Sequence, residues 1–267
     1  MLKMKFTKRK IRKIALGSIP FLTILVVWDL FYYFNQDLKW LIPSPLQTVS
    51  SFWQMVTDGT FLKLISVSIF NLIPPYIFAI ICAVVLGTLM GVNKTVHKIF
   101  FPFLSAIYPV PSLAWLPFMI LFLGFTREAI WFVIFVSSFM KIIYNVISGI
   151  QNVNIEYVLV AKNFGFSKTK IVFDVFLPSA LPQIMTGLRV GFGSAWRSLI
   201  GAEMLVATIG GLGKFIWMSQ WFFDFDKVMA GIVVISLVSI FIEQIVFRRL
   251  EKNTLVKWGF ISDEQKI

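Results

Sequence analysis

Apolar and polar residues fall in long blocks along this chain, not in short alternations. Largely apolar runs cover Ala15–Phe34, Leu64–Val92, Phe100–Leu123, Glu128–Ile150, Pro178–Ala207 and Val228–Phe247. A helix needs about 20 such residues to cross the hydrocarbon core of a bilayer. The pattern predicts an all-α, polytopic membrane protein with about six transmembrane helices. It divides the chain into a basic segment (1–14), a first transmembrane helix (15–34), an external loop with an interfacial helix (35–63), a membrane core (64–250) and a charged tail (251–267). Trp40 and Trp53 suit a helix at headgroup depth.

Within the core one segment is too polar to sit in lipid: the loop 151–177, wetted by Lys162, Asn163, Ser167, Lys168, Thr169, Lys170 and Asp174. Tyr157, Val160 and Phe164, then Ile171 and Val175, recur at helical spacing and predict two short amphipathic helices. Gly165 stands where the first should end, since glycine tolerates a left-handed cap. Pro178 is placed to open the next helix. Such a surface, held between spans, calls for another protein to rest on.

Three features mark the spans themselves. Pro74 and Pro75 predict a kink in the second. Pro109, Pro111 and Pro117 interrupt the third, the first two near mid-depth. Carbonyls freed in hydrocarbon must face protein or a water-filled cavity, so Tyr108, Pro109, Pro111, Ser112 and Trp115 become candidates for lining a solute path, with helix kinking in a packed bundle as the alternative. The fifth span is dense in small residues, and Gly187-x-x-x-Gly191 suits close helix approach. It also carries Ser194 and the charges Arg189, Arg197 and Glu203. Arg197 and Glu203 lie about 240° apart around a helix, so they do not pair with each other. Each needs a partner on another span, a second subunit or a solute. Lys141, in the fourth span, reads as a residue whose ammonium snorkels to the interface. Asp29 reads as a solvated end of the first span.

Composition agrees: 58% of residues are hydrophobic and 14% charged, against roughly 25% charged in soluble domains. One Cys and one His exclude a disulfide framework and a multi-histidine metal site. The net charge of +12 does not point to nucleic acid, because of where it lies. Residues 1–14 hold seven Lys or Arg and no acid. With the amino terminus inside, inner segments hold seventeen basic residues and outer ones five. That excess places both termini and the 151–177 loop in the cytoplasm and suits anionic headgroups.

The chain also resembles the permeases of bacterial ABC importers. Their cytoplasmic loop carries E-A-A, three residues, Gly, nine residues, then I-x-L-P. Here Ala161, Gly165, Val175, Leu177 and Pro178 fall in register, with Leu159 where the signature has Glu. Tyr108-Pro109-Val110-Pro111-Ser112-Leu113-Ala114-Trp115-Leu116-Pro117 is similar to a segment of the nitrate/sulfonate/taurine branch. So are Leu41-Ile42-Pro43-Ser44-Pro45, Gly187-Leu188-Arg189, Ala195-Trp196, Ala202-Glu203-Met204 and Gly211-Leu212-Gly213, in that branch's order. The resemblance covers about residues 40–250 and implies a type I importer-like permease in the bacterial cytoplasmic membrane. It implies pairing with a second permease copy, an external binding protein that delivers solute, and ATPase subunits holding ATP and Mg. This chain itself would bind no cofactor; it has no G-x-x-x-x-G-K-[ST] phosphate loop. The implied contact with the ATPase is Glu156, Ala161, Lys162, Asn163, Phe164, Gly165, Phe166 and Ser167. The implied path is Tyr108, Pro109, Pro111, Ser112, Trp115, Ser194, Arg197 and Glu203. The solute it implies is a small anion: a sulfonate, taurine or nitrate.

Other classes remain. The aromatic content (29 Phe, 9 Trp) would suit a permease for an aromatic vitamin or pyrimidine precursor. An ATP-independent carrier should show internal repeats, and the halves show none. A membrane enzyme needs a polar catalytic cluster, and the sequence offers neither histidines nor paired carboxylates.

Overall fold

The computed structural model describes residues 2–206, 209–251 and 254, with side chains from residue 16 onward except Gln36. The basic side chains of 1–14, Ala207, and the tail beyond Glu251 apart from Thr254 lie outside the described residues. All regular structure among the described residues is helical. Among the described residues five helices are long and apolar enough to cross a membrane, or six if one sharply bent pair counts as a single span.

The chain forms two compact units. The first combines residues 1–61 with 216–234. It holds α1 (Leu2–Phe34), α2 (Pro45–Thr57) and the start of α11 (Phe225–Phe241). Trp28 donates its indole N–H to the Pro43 carbonyl at 3.0 Å, tying α1 to the loop that follows it. Ser44 and Gln47 form a reciprocal capping box that starts α2, and each satisfies a backbone N–H that the first turn leaves free. Ser51 donates to Asp226, joining α2 to the head of α11. α2 turns Leu46 and Trp53 outward, as an interfacial helix would.

The second unit, 62–215 with 235–267, holds the helices that frame the candidate sites. α3 (Thr60–Val92) continues through Pro74 and Pro75 as one helix. α6 (Arg127–Gln151) and α9 (Leu177–Leu205) pack against one another along their lengths. Glycine makes this approach possible: a Cβ on Gly187 would lie 2.7 Å from Asn145 Cβ, and one on Gly191 would lie 2.7 Å from Ile142 Cγ1. Gly87 and Gly91 seat α3 against Val146 and Ile150 in the same way. Lipid supplies no hydrophobic drive between helices, so this close contact carries the association.

Two spans differ from the sequence expectation. The third is not one helix from Phe100. α4 (Lys94–Ile107) begins six residues earlier, capped by Asn93, so Lys94 and His97 lie in its first turn. It stops at Tyr108, and after a 3₁₀ turn (Ser112–Trp115) the chain resumes as α5 (Leu116–Leu123), bent by 88°. Tyr108 keeps helical dihedrals (φ −52°, ψ −43°) as the cap of α4; the helix ends beyond it because Pro109 and Pro111 bring no N–H, and Pro111 is extended at ψ 129°. The fifth span is longer than expected. The chain is helical from Lys168 to Leu205, passing from α8 (Lys168–Ile171) through a π turn (Val172–Phe176). The second amphipathic helix therefore runs straight into α9. The π turn shifts the hydrogen-bond ladder just where Pro178 has no N–H to give. Between the fifth and sixth apolar runs lies a further helix, α10 (Leu212–Trp221).

Candidate functional site

Beside the break between α4 and α5 lies a cavity of about 340 Å³. Three elements build its wall. The break supplies Tyr108, Pro109, Pro111 and Ser112, α6 supplies Ser137 and Lys141, and α9 supplies Ser194, Arg197 and Ser198. The spacings explain the grouping. Ser137 and Lys141 are four residues apart, and Ser194, Arg197 and Ser198 are three and four apart, so each set shares a helix face. Ser112 and Ser198 exchange a hydrogen bond at 2.8 Å, and Leu113 fills the notch at Gly201, where a Cβ would meet its Cδ1 at 2.6 Å. These contacts fix the broken segment to α9.

Two cations line this cavity. Lys141 Nζ stands 4.1 Å from the centroid of the Tyr108 ring, and that ring packs edge-on against Tyr144 at 4.8 Å. The Tyr108 face holds the ammonium beside the break. Arg197 is exposed to the same space. Among the described residues no carboxylate comes within ion-pair distance of either. A charge at membrane depth is expensive unless water or a counter-charge meets it.

The structure thus brings Tyr108, Pro109, Pro111, Ser112, Ser194 and Arg197 together. Trp115 and Glu203, grouped with them from the sequence, do not line this cavity. Trp115 packs edge-on against Phe118. Glu203 is fully buried on another side of α9. Its carboxyl group accepts from Ser68 Oγ at 2.9 Å, Asn71 Nδ2 at 3.0 Å and the Gly213 N–H at 3.1 Å. Ser68 in turn accepts from the Leu212 N–H at 2.9 Å. The group therefore anchors the start of α10 to α3 and α9. Arg189 has its partners too: Nε lies 2.6 Å from Glu243 and Nη1 2.9 Å from Glu251. Ser137, Lys141 and Ser198 line the cavity too and were not among the path residues expected from the sequence. The helical register relative to Ser194 would have picked out Ser198; nothing local marks Lys141.

The wet segment forms a separate surface. α7 (Ile155–Asn163) starts on an Asn154 cap and ends at Gly165, whose φ is +77°. Gly165 N–H donates to Lys162 O at 2.9 Å and Phe166 N–H to Ala161 O at 3.0 Å, the paired bonds of a Schellman ending. The buried face is not the expected one. Val158 and Ala161 pack on Ile171, with Phe166, Val175 and Phe176 around them. Tyr157, Val160 and Phe164 point outward, Phe164 being 78% exposed. Both stripes recur at helical spacing, so period alone does not say which one is inside. Glu156, Lys162, Asn163 and Ser167 are exposed as well. The outward face is thus an apolar stripe with a polar border, the composition of a contact surface.

Comparison with known proteins follows the same lines. Residues 79–255 match the family described as binding-protein-dependent transport system inner membrane component. The taurine transport system permease protein of Escherichia coli is 28% identical over 92% of this chain and 90% of its own length. The nitrate import permease protein of Leptolyngbya laminosa is 29% identical, over 97% and 91%. Among solved structures, a chain of the MetNI methionine ABC transporter in inward-facing conformations superposes with a TM-score of 0.60 at 17% identity. The match covers 72% of this chain and 95% of that one. At that identity the likeness concerns the fold.

Proposed function

This chain belongs to the inner membrane components of binding-protein-dependent transport systems, as a multi-pass ABC importer permease of the taurine, nitrate and sulfonate type, and from that premise we propose that it passes a small anion through the cavity at the α4–α5 break. The observation that carries this reading is the pair Lys141 and Arg197, two cations on spanning helices beside one cavity, with no carboxylate within ion-pair distance among the described residues. An anion with several acceptor oxygens satisfies both charges and the hydroxyls of Ser112, Ser137, Ser194 and Ser198. Nitrate and the sulfonate group of taurine have that chemistry, and they are the cargoes for which the two relatives are named.

An external binding protein delivers the anion, and the work comes from ATP and Mg held by separate ATPase subunits beneath the membrane. The outward stripe of α7, with Glu156, Asn163, Phe164, Gly165 and Ser167 in or beside it, is the contact with the ATPase; Ala161 and Phe166 pack beneath it, and Lys162 stands on the inner flank. Two copies of the permease enclose one pathway, and both termini face the cytoplasm, as the basic residues at the chain ends favour. ATP-driven closure of the ATPase pair moves α7, and through α8 and the π turn it moves α9, which carries Ser194, Arg197 and Ser198.

Uptake of labelled nitrate and taurine into proteoliposomes holding permease, ATPase and binding protein tests this. A hydrogen bond to a charged group contributes about 1.5–3 kcal/mol. Arg197→Gln or Lys141→Gln is therefore expected to lower uptake roughly tenfold or more, with thermal stability unchanged. Full uptake by the double variant would overturn the assignment.

A further inference from the structure

A second and larger cleft, of about 840 Å³, opens where α3 turns into α4. Its walls come from the end of α3, the inner flank of α7, and the α8–π turn segment. Its apolar lining is Val85, Leu89, Val92, Phe173, Phe176 and Leu177. Lys94, Lys162 and Lys168 line it as well, and among the described residues no Asp or Glu does. The lysines come from three different elements, and all three are exposed. Lys162 is four residues after Val158, so it stands on the flank of α7 that faces inward, away from the stripe at Tyr157, Val160 and Phe164. The cleft sits at the end of a membrane span, since α3 stops at Val92 and Asn93 caps the next helix. That is headgroup depth.

We propose that this cleft seats one anionic phospholipid, its phosphate held by Lys94, Lys162 and Lys168 and an acyl chain lying along the Val85–Leu89–Phe176 wall. Charge complementarity selects the headgroup: three ammonium groups without a neighbouring acid repel cations and give a zwitterionic lipid no advantage. The apolar wall selects a lipid over a free anion. Basic pockets between helices at the membrane boundary recognise lipid headgroups through this combination. The lipid would bridge α3, α4 and α7, and so tie the α7 surface to the membrane spans. This inference does not depend on which solute the permease carries.

Native mass spectrometry of the full-length chain in mild detergent tests it. Phosphatidylglycerol and phosphatidylcholine with the same acyl chains are titrated in parallel. Wild type is expected to prefer phosphatidylglycerol. Each lysine near anionic headgroups is worth roughly a fivefold factor, so the triple variant Lys94→Gln, Lys162→Gln, Lys168→Gln should lose about a hundredfold. Lys98→Gln, one turn along α4 and outside the cleft, should keep the preference, as should the triple Lys→Arg variant. Equal binding of the two lipids by wild type would overturn the proposal. So would a preference that survives in the triple Gln variant. Displacement of phosphatidylglycerol by an equal concentration of inorganic phosphate would reduce the site to a bare anion patch and overturn it as well.

Discussion

Removing the carboxyl group of Glu203 isolates what holds Leu212 and Gly213, at the start of α10, to α3 and α9. Three donors converge on it, Ser68 Oγ, Asn71 Nδ2 and the Gly213 N–H, and none of the three residues has water to turn to beside a fully buried side chain. Leaving a buried donor unpaired costs about 1–3 kcal/mol, so Glu203→Ala should cost about 3–9 kcal/mol from the donors alone. Glu203→Gln has nearly the same volume. Its amide oxygen, placed at the Oε2 position, keeps Ser68 and Gly213. Its NH₂ then faces Asn71, whose own Oδ1 has no partner in the structure. A flip of the Asn71 amide turns that oxygen to accept from the new donor. The Gln variant should therefore lose only about 1 kcal/mol, the weakening from charged to neutral bonds. The assay is thermal stability of the detergent-purified chain, read as the loss of the monodisperse peak after heating. At about 2–4 °C per kcal/mol for a chain of this size, Gln should lower the midpoint by no more than about 4 °C and Ala by at least about 6 °C. An Ala variant as stable as Gln would refute the hydrogen-bond reasoning. A Gln variant as weak as Ala would show that charge, not bonding geometry, holds the loop.

Gly213→Ala should be at least as damaging, because its Cβ would lie 2.2 Å from the Ile200 carbonyl oxygen and 2.7 Å from Glu203 Cβ; recovery of properly folded protein after extraction reads this out. Gly165→Asp should leave the chain folded, since nothing lies within 4 Å of a Cβ there and the cost of φ +77° to a side chain is about 1–2 kcal/mol. Uptake should nonetheless be lost, and unchanged uptake would detach α7 from the coupling role. Asp58 caps the start of α3 by accepting from the Thr60 N–H at 2.8 Å. That backbone bond, helped by the Thr60 hydroxyl, holds its carboxyl below the usual carboxylate range. A depressed folded pKa stabilises above the unfolded value and is lost as pH falls through the folded one. The wild-type advantage over Asp58→Asn in thermal stability should thus be present at pH 7 and shrink below about pH 4.

The helical architecture was legible in the sequence because lipid leaves the backbone few choices. A long apolar run must satisfy its own N–H and C=O groups, and a helix does so within the segment. Run lengths therefore gave the spans, and Gly187 and Gly191 gave the face of closest packing. The left-handed cap at Gly165 was legible too, since it depends on one residue's own backbone freedom. Local chemistry also marked the prolines of the third span as a break, though not its 88° angle, which depends on what the two arms pack against.

What the sequence determined by itself were the properties carried by one segment at a time: crossing a membrane, capping a helix, breaking at Pro109 and Pro111. What tertiary structure alone decided were the pairings between distant segments. Glu203 and Arg197 share one helix and one kind of cost, yet one is bound by Ser68 and Asn71 and the other opens onto a cavity with Lys141. The two stripes of α7 have the same period, and only the position of Ile171 settles which is covered. Helical spacing specifies which residues share a face; it carries no information about what that face meets. That is fixed by how α3, α6 and α9 pack, and the choice between a buried anchor and an open path was made there.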